Sequence, residues 1–388
     1  MRRRSRAHVA LAIAGAAAAC LLLAGAGTAS YRWQLPAWAP LPVVPADNPM
    51  SAAKVELGRH LFYDKRLSAD GSMACATCHR QALAFTDGRA VSPGVDGRPG
   101  VRSAMPLANV AYLPALTWAN PNLRTLEVQA LVPLFGEHPV EMGMAGREQV
   151  LFATLRDDPR YAAMFREAFP EVRGEVSLST VTKALAAFQR SLISLDAPYD
   201  RYRYGGQRNA ISAAARRGEA LFFGEKLECY HCHAGFNFTD NQAHARLAHA
   251  EAGYHNNALY NLDGKGAFPA DNPGLREVTG RADDEGKFRT PTLRNVALTA
   301  PYMHDGSIAT LREVLEHYAA GGRTVHAGPN RGVGARNPNK SPLVAGFQIS
   351  EAEMRDVIAF LESLTDQGFV NDPRHADPFS RAPQNNSQ

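Results

Sequence analysis

Four of the five cysteines lie in two short segments, Cys75-Ala76-Thr77-Cys78-His79 and Cys229-Tyr230-His231-Cys232-His233. Each is a C-x-x-C-H run. At that spacing two thiols can bond covalently to the vinyl groups of a haem, and the His that follows is placed to take the iron from one side. The competing reading is a structural zinc site, because C-x-x-C is also half of a zinc ribbon. Both pairs end in His, however, and no further cysteine pair exists to complete a ribbon. Two covalently attached haem c groups are therefore expected, with Cys75, Cys78, Cys229 and Cys232 as attachment points and His79 and His233 as proximal iron ligands. His231 sits inside its motif and cannot reach the same iron.

The elements that must position these motifs read as helices. Ser51 to Phe62 follows Pro49 and offers Val55, Leu57, Leu61 and Phe62 as apolar positions. Ser179 to Leu195 carries Val181, Leu185, Phe188 and Leu192 at helical spacing. Ser212 to Phe223 leads into the second motif as Val55 to Tyr63 leads towards the first. Ser350-x-x-Glu353 is a capping box that opens a last helix, Glu351 to Leu364. The parallel between G-R-H-L-F-Y and R-G-E-A-L-F-F, each ahead of a haem motif, points to duplicated units. No β-alternation is visible. Long Gly/Pro/Asn-rich loops at 87–122, 234–292 and 321–348 are of a length that usually wraps a cofactor or carries function. The expected fold is all-α: two cytochrome c-like haem domains with long loops, 31–205 and 206–368, and a loose polar tail at 369–388.

Residues 1–30 read as an export segment. Arg2, Arg3, Arg4 and Arg6 precede an apolar run from Val9 to Ala26, with small residues for cleavage after Ala26 or Ala29. An uncleaved membrane anchor is the alternative. Cleavage removes Cys20, so no disulfide framework is left. It also removes four Arg from a formal charge of +4, which leaves a neutral chain without the electrostatic footprint of a nucleic-acid binder. Thioether-bound haem and export together indicate the periplasm.

Further stretches resemble a known family. Cys75–His79, L-T-W-A-N-P (Leu116–Pro121), Q-A-L-V-P-L (Gln129–Leu134), P-V-E-M-G (Pro139–Gly143) and T-P-T-L-R-N-V-A-L-T-A-P-Y-M-H-D-G (Thr290–Gly306) are similar to the bacterial dihaem cytochrome c peroxidases and to MauG, the dihaem enzyme that matures methylamine dehydrogenase. The resemblance runs from about residue 46 to 365. W-Q-L-P (Trp33–Pro36) and D-N-P-M-S-A-A-K-V-E-L-G-R (Asp47–Arg59) resemble the MbnH-like branch more closely, whose members act beside methanobactin-associated copper-binding proteins.

The resemblance implies roles for particular residues. Members that need reductive activation carry a distal His in the loop that is here Ser92–Arg98. This loop has none, and the nearest candidates, His60 and His138, lie elsewhere. The first haem is thus expected to be five-coordinate as made. Glu141 matches the distal acid that takes a proton from peroxide and delivers it to the leaving oxygen; Gln129 and Pro133 match its companions. Two more residues separate Pro133 from Glu141 than in the peroxidases. For the second haem the peroxidases use Met fourteen residues beyond the His matching His304. Here that position is Tyr318, as in MauG, with Met303 as the other candidate. Leu311, Val314, Leu315 and Tyr318 share one helical face, so Tyr318 should point inward. Trp118 matches a Trp between the haems that relays electrons. Thr299 and Pro301 match donors to an interdomain calcium ion, while Ser103 stands where the family has Asn, a shorter oxygen donor.

Three functions compete on this reading. The first is a periplasmic oxidoreductase that uses hydrogen peroxide to reach a high-valent dihaem state and oxidises a partner protein residue by long-range electron transfer. The branch resemblance makes that residue a Trp on an exported copper-binding protein. The second is a cytochrome c peroxidase fed by a small electron-donor cytochrome. The third is a dihaem electron-transfer cytochrome, which needs both irons capped.

Overall fold

The computed structural model describes residues 31–250 and 252–380. The export segment read at residues 1–30 lies outside them, as do residues 381–388. The chain divides into two units, Met1–Gln34 and Leu35–Gln388. Within the first, Tyr31 and Trp33 meet edge to face, with ring centroids 5.0 Å apart. The second contains both C-x-x-C-H motifs.

The frame around those motifs consists of helices α1 (Ala52–Tyr63), α2 (Leu178–Arg190), α3 (Ala213–Phe222), α4 (Leu311–Ala319) and α5 (Glu351–Glu362). Each begins at a side-chain cap that satisfies amides the helix itself leaves unbonded. Ser51 accepts from the Lys54 amide at 3.1 Å, and Ser212 from the Ala215 amide at 3.0 Å. Thr310 with Glu313 and Ser350 with Glu353 form complete capping boxes. Helix α2 starts earlier than its apolar spacing implies, because Ser177 is the cap, and it stops at Arg190 rather than Leu195.

The two halves use the same crossing. At Gly58 of α1 an added Cβ would lie 1.9 Å from the Ala184 carbonyl oxygen and 2.8 Å from Phe188 Cβ of α2. At Gly218 of α3 it would lie 1.9 Å from the Asp356 carbonyl oxygen and 2.9 Å from Phe360 Cβ of α5. Only a residue without a side chain lets the backbones approach this closely. Leu57, Leu61, Phe62, Leu185 and Phe188 are buried around the first crossing. Phe222, Phe238, Leu315, Val357 and Phe360 are buried around the second. Each such side chain contributes about 1.5–3 kcal/mol on leaving water.

Two expectations need correction. The fold is helix-rich rather than all-α: β1 (Tyr254–Asn256) pairs antiparallel with β2 (Lys287–Arg289), and β3 (Thr324–Val325) with β4 (Gly332–Val333). Strands of two or three residues are too short to show alternation. Nor are residues 369–380 loose. Phe369 and Val370 join the first apolar core. The Tyr63 hydroxyl donates to the His375 carbonyl at 2.7 Å, the Arg59 guanidinium to the Ala376 carbonyl at 2.8 Å, and the Gln81 amide to the Asp372 carbonyl at 2.8 Å. The chain's last described residues thus pack on its first helix. Among the described residues no helix is long and apolar enough to cross a membrane.

Candidate haem and peroxide site

Both motifs orient their terminal His in the same way. His79 Nδ1 lies 2.7 Å from the Phe85 carbonyl oxygen, and His233 Nδ1 lies 2.9 Å from that of Phe238. A carbonyl can only accept, so each ring carries its proton on Nδ1 and leaves Nε2 for a metal, the usual arrangement of a ligating His. Phe85 and Phe238 have φ of 65° and 50°, and their rings are buried; core packing holds these carbonyls in a left-handed turn. Arg294, fully buried, pairs with Asp200 at 2.5 Å and donates to the Phe236 carbonyl, which fixes the loop that bears Phe238.

Cys229, Cys232 and His233 line a large cavity with Met303 and Tyr318. The inward face expected for α4 is observed. Burial pushes the Tyr318 phenol up to about 12, opposed by a hydrogen bond from Asn257. The Asn257 amide also donates to Met303 Sδ at 3.2 Å. Trp118 lies on the same cavity wall, and its indole N–H donates to the Ser103 carbonyl at 2.8 Å. The Ser103 amide donates to the His304 carbonyl at 2.8 Å. Ser103, Thr299 and Pro301 all line this cavity with Trp118, and the Ser103 carbonyl is already engaged. His304 is stacked on Phe288 at 3.6 Å, and its buried Nε2 has no hydrogen-bond partner in the protein. A cavity with two thiols, an oriented imidazole and a buried polar atom without a partner fits a covalently held haem.

Near the first motif the segments that carry Glu141 and Pro133 are joined by backbone bonds. The Met142 amide donates to the Pro133 carbonyl at 2.9 Å, and the Val95 amide to the Glu141 carbonyl at 2.7 Å. These bonds tie the loop carrying Glu141 to the helix Leu131–Phe135, which holds Pro133, and to the loop 92–98. Gln129 closes the preceding turn, Leu126–Gln129. Burial raises the Glu141 carboxyl above its ordinary range. Burial, then Cys78 and Glu141, push the Cys75 thiol up to about 12, so Glu141 stands within electrostatic reach of the attachment sulfurs. Of the alternative histidines, His60 Nδ1 is 3.0 Å from the Glu56 carbonyl oxygen and His138 is exposed.

The zinc reading fails on geometry. Among the described residues the one grouping of three metal-competent side chains is Cys232, Asp240 and His255; the two cysteine pairs are not brought together. Phe85, Phe238 and Asn257 were not singled out from sequence, and His304 served there only as the landmark for counting to Tyr318. A Phe five or six residues beyond each motif His was the available signal for the first two; Asn257 gave none.

A family profile described as di-haem cytochrome c peroxidase matches residues 52–209. The chain is 37% identical to the methylamine utilization protein MauG of Methylorubrum extorquens, over 82% of this chain and 80% of that one. It is 36% identical to the cytochrome-c peroxidase IdrP1 of Denitromonas iodatirespirans, over 94% and 96%. A crystal structure of a MauG-like protein associated with microbial copper homeostasis superposes with a TM-score of 0.88 at 48% identity, covering 90% of this chain and all of that one. Relatives of this identity and coverage, on a site built for two haems, leave one conclusion: the chain belongs to the di-haem cytochrome c peroxidase and MauG family and is a dihaem peroxidase-type oxidoreductase.

Proposed function

We propose that this enzyme is a peroxide-dependent oxidase of a partner protein, exported to the periplasm by residues 1–30 and built from two haem-bearing halves, 31–205 and 206–368, that arose by duplication. The haems, when bound, supply the reaction with hydrogen peroxide and the storage of its two oxidising equivalents. His79 and His233 would each hold one iron, and Tyr318 would be the second protein ligand at the iron held by His233. A buried phenol surrenders its proton only beside a cation, which is what a ferric centre provides. Glu141 takes a proton from peroxide and returns it to the leaving oxygen, with Gln129 and Pro133 shaping the pocket around it. Trp118 passes electrons between the halves. Ser103, Thr299 and Pro301 hold calcium beside it, Ser103 through its hydroxyl.

The observation that carries this reading is Tyr318 on the wall of the cavity that contains Cys229, Cys232 and His233. An anionic oxygen ligand favours oxidised iron, whereas the thioether of Met303 would favour the ferrous state of an electron-accepting peroxidase. The copper-homeostasis association of the similar crystal structure supports a Trp on an exported copper-binding protein as substrate, converted towards kynurenine. The test incubates the holoenzyme with hydrogen peroxide and such a protein and reads added oxygen by mass spectrometry. Trp118→Phe keeps an aromatic ring but is harder to oxidise, and should lose most of the modification. Modification at the wild-type rate would make Trp118 packing alone. A second reading, peroxide removal with a small cytochrome donor, is favoured by the similarity to a cytochrome-c peroxidase along almost the whole chain.

A further inference from the structure

A protein partner is too large to enter either haem cavity, so the equivalents need a surface exit. The turns between the paired cysteines differ in one chemical respect. Ala76 and Thr77 of the first cannot be oxidised under mild conditions; Tyr230 and His231 of the second include a phenol. Cys229–His231 forms a single 3-10 turn. Cys229 and Cys232 line the cavity, while Tyr230 does not; it is half-buried, with its hydroxyl's hydrogen bond at the surface. There its hydroxyl donates to Glu225 Oε1 at 3.1 Å, and its ring lies against His231 with centroids 4.3 Å apart. A phenol is hard to oxidise while it keeps its proton, and a carboxylate already hydrogen-bonded to it is a ready acceptor.

We propose that Tyr230 is the exit through which the second haem oxidises a partner's aromatic residue, with Glu225 as its proton acceptor. The inference rests on the partner-oxidase reading and names the place where that partner must touch. In each pass Tyr230 gives one electron inward, and its phenolic proton moves to Glu225. The resulting neutral tyrosyl radical takes one electron from the partner's indole, and the proton returns from Glu225 to the phenolate oxygen. Two passes deliver the two electrons that reduce one hydrogen peroxide to two waters; the two protons come from the partner's indole, which loses them as it takes up the oxygen of one water, and Tyr230 and Glu225 end unchanged. The partner therefore presents a surface aromatic residue to the turn between Cys229 and Cys232.

The test uses the holoenzyme, hydrogen peroxide and N-acetyl-L-tryptophanamide as probe. Without the probe, electron paramagnetic resonance of the wild type should show a tyrosyl signal that narrows with ring-deuterated tyrosine and is absent in Tyr230→Phe. With it, the yield of oxidised probe per peroxide consumed should fall at least ten-fold in Tyr230→Phe and recover in Tyr230→Trp, which restores an oxidisable ring. A second surface pair serves as control: Trp38 stacks on the exposed Tyr204 at 4.1 Å, and Tyr204→Phe should leave the yield unchanged. An undiminished yield in Tyr230→Phe, or a drop in Tyr204→Phe instead, overturns the assignment of Tyr230 alone. A wild type that consumes no peroxide overturns the partner-oxidase reading with it.

Discussion

Replacing Glu141 by Gln is the sharpest test of the first site. The amide keeps the volume of the side chain but cannot accept a proton. Desolvation is what raises the Glu141 carboxyl. An acid–base group of this kind is worth about 10²–10⁴-fold, or roughly 2.7–5.4 kcal/mol at about 1.36 kcal/mol per tenfold in rate. The variant should bind peroxide and then react that much more slowly in stopped flow at the haem Soret band. The pH dependence has a definite sign. The carboxylate is the active base, so the rate should fall as pH drops through the carboxyl's raised value, and should begin to fall above the ordinary value of about 4.3. In Glu141→Gln this acid limb should vanish along with the rate. A wild-type rate, or the same acid limb in the variant, would show that another group, such as Gln129 or a water, takes the proton.

Tyr318→Met should keep both haems attached but raise the potential of the second, because it exchanges an anionic oxygen for a thioether; an unchanged potential in a redox titration would return Tyr318 to packing. As isolated, the ferric wild type should give equal amounts of one high-spin and one low-spin haem by electron paramagnetic resonance, and two low-spin signals would exclude an open first site. Gly218→Ala gains up to about 1 kcal/mol of helix propensity, yet its Cβ would meet the backbone oxygen of Asp356 at 1.9 Å, a neighbour that cannot rotate away. Overpacking of this kind costs about 1–3 kcal/mol, occasionally more, so after the propensity gain a net loss of about 1–2 kcal/mol is expected in denaturant unfolding, and a midpoint at or above wild type would refute the close crossing.

What could be read from the chain was local. The helices beginning at Ser51 and Ser212, the capping box at Ser350 and the inward face of α4 depend on spacings within a few residues, and each stands where its spacing put it. Glu141, Gln129 and Pro133 were singled out through resemblance, and the backbone bonds that join the segments of Pro133 and Glu141 span the loops at 92–98 and 131–142. Features set by distant contacts stayed hidden. The glycines at 58 and 218 look like ordinary helix weaknesses until the crossing helix is present. The polar run N-D-P-R-H-A-D-P-F-S resembles a free tail because its anchors are backbone carbonyls, which no side chain advertises. Asn257 acts through a geometry that residue type alone cannot convey.

The packing of residues 369–380 on the first half sets an order of events during synthesis. Phe369 closes over Phe85 at a ring separation of 5.6 Å, directly beside the carbonyl that orients His79. Until the ribosome has made those last residues, that flank of the first motif is uncovered. The first core is therefore completed only once Phe369 and Val370 have joined it, however early Cys75 and Cys78 were made. Premature termination anywhere before Phe369 would leave the first core without Phe369 and Val370, however completely the rest of its sequence had been translated.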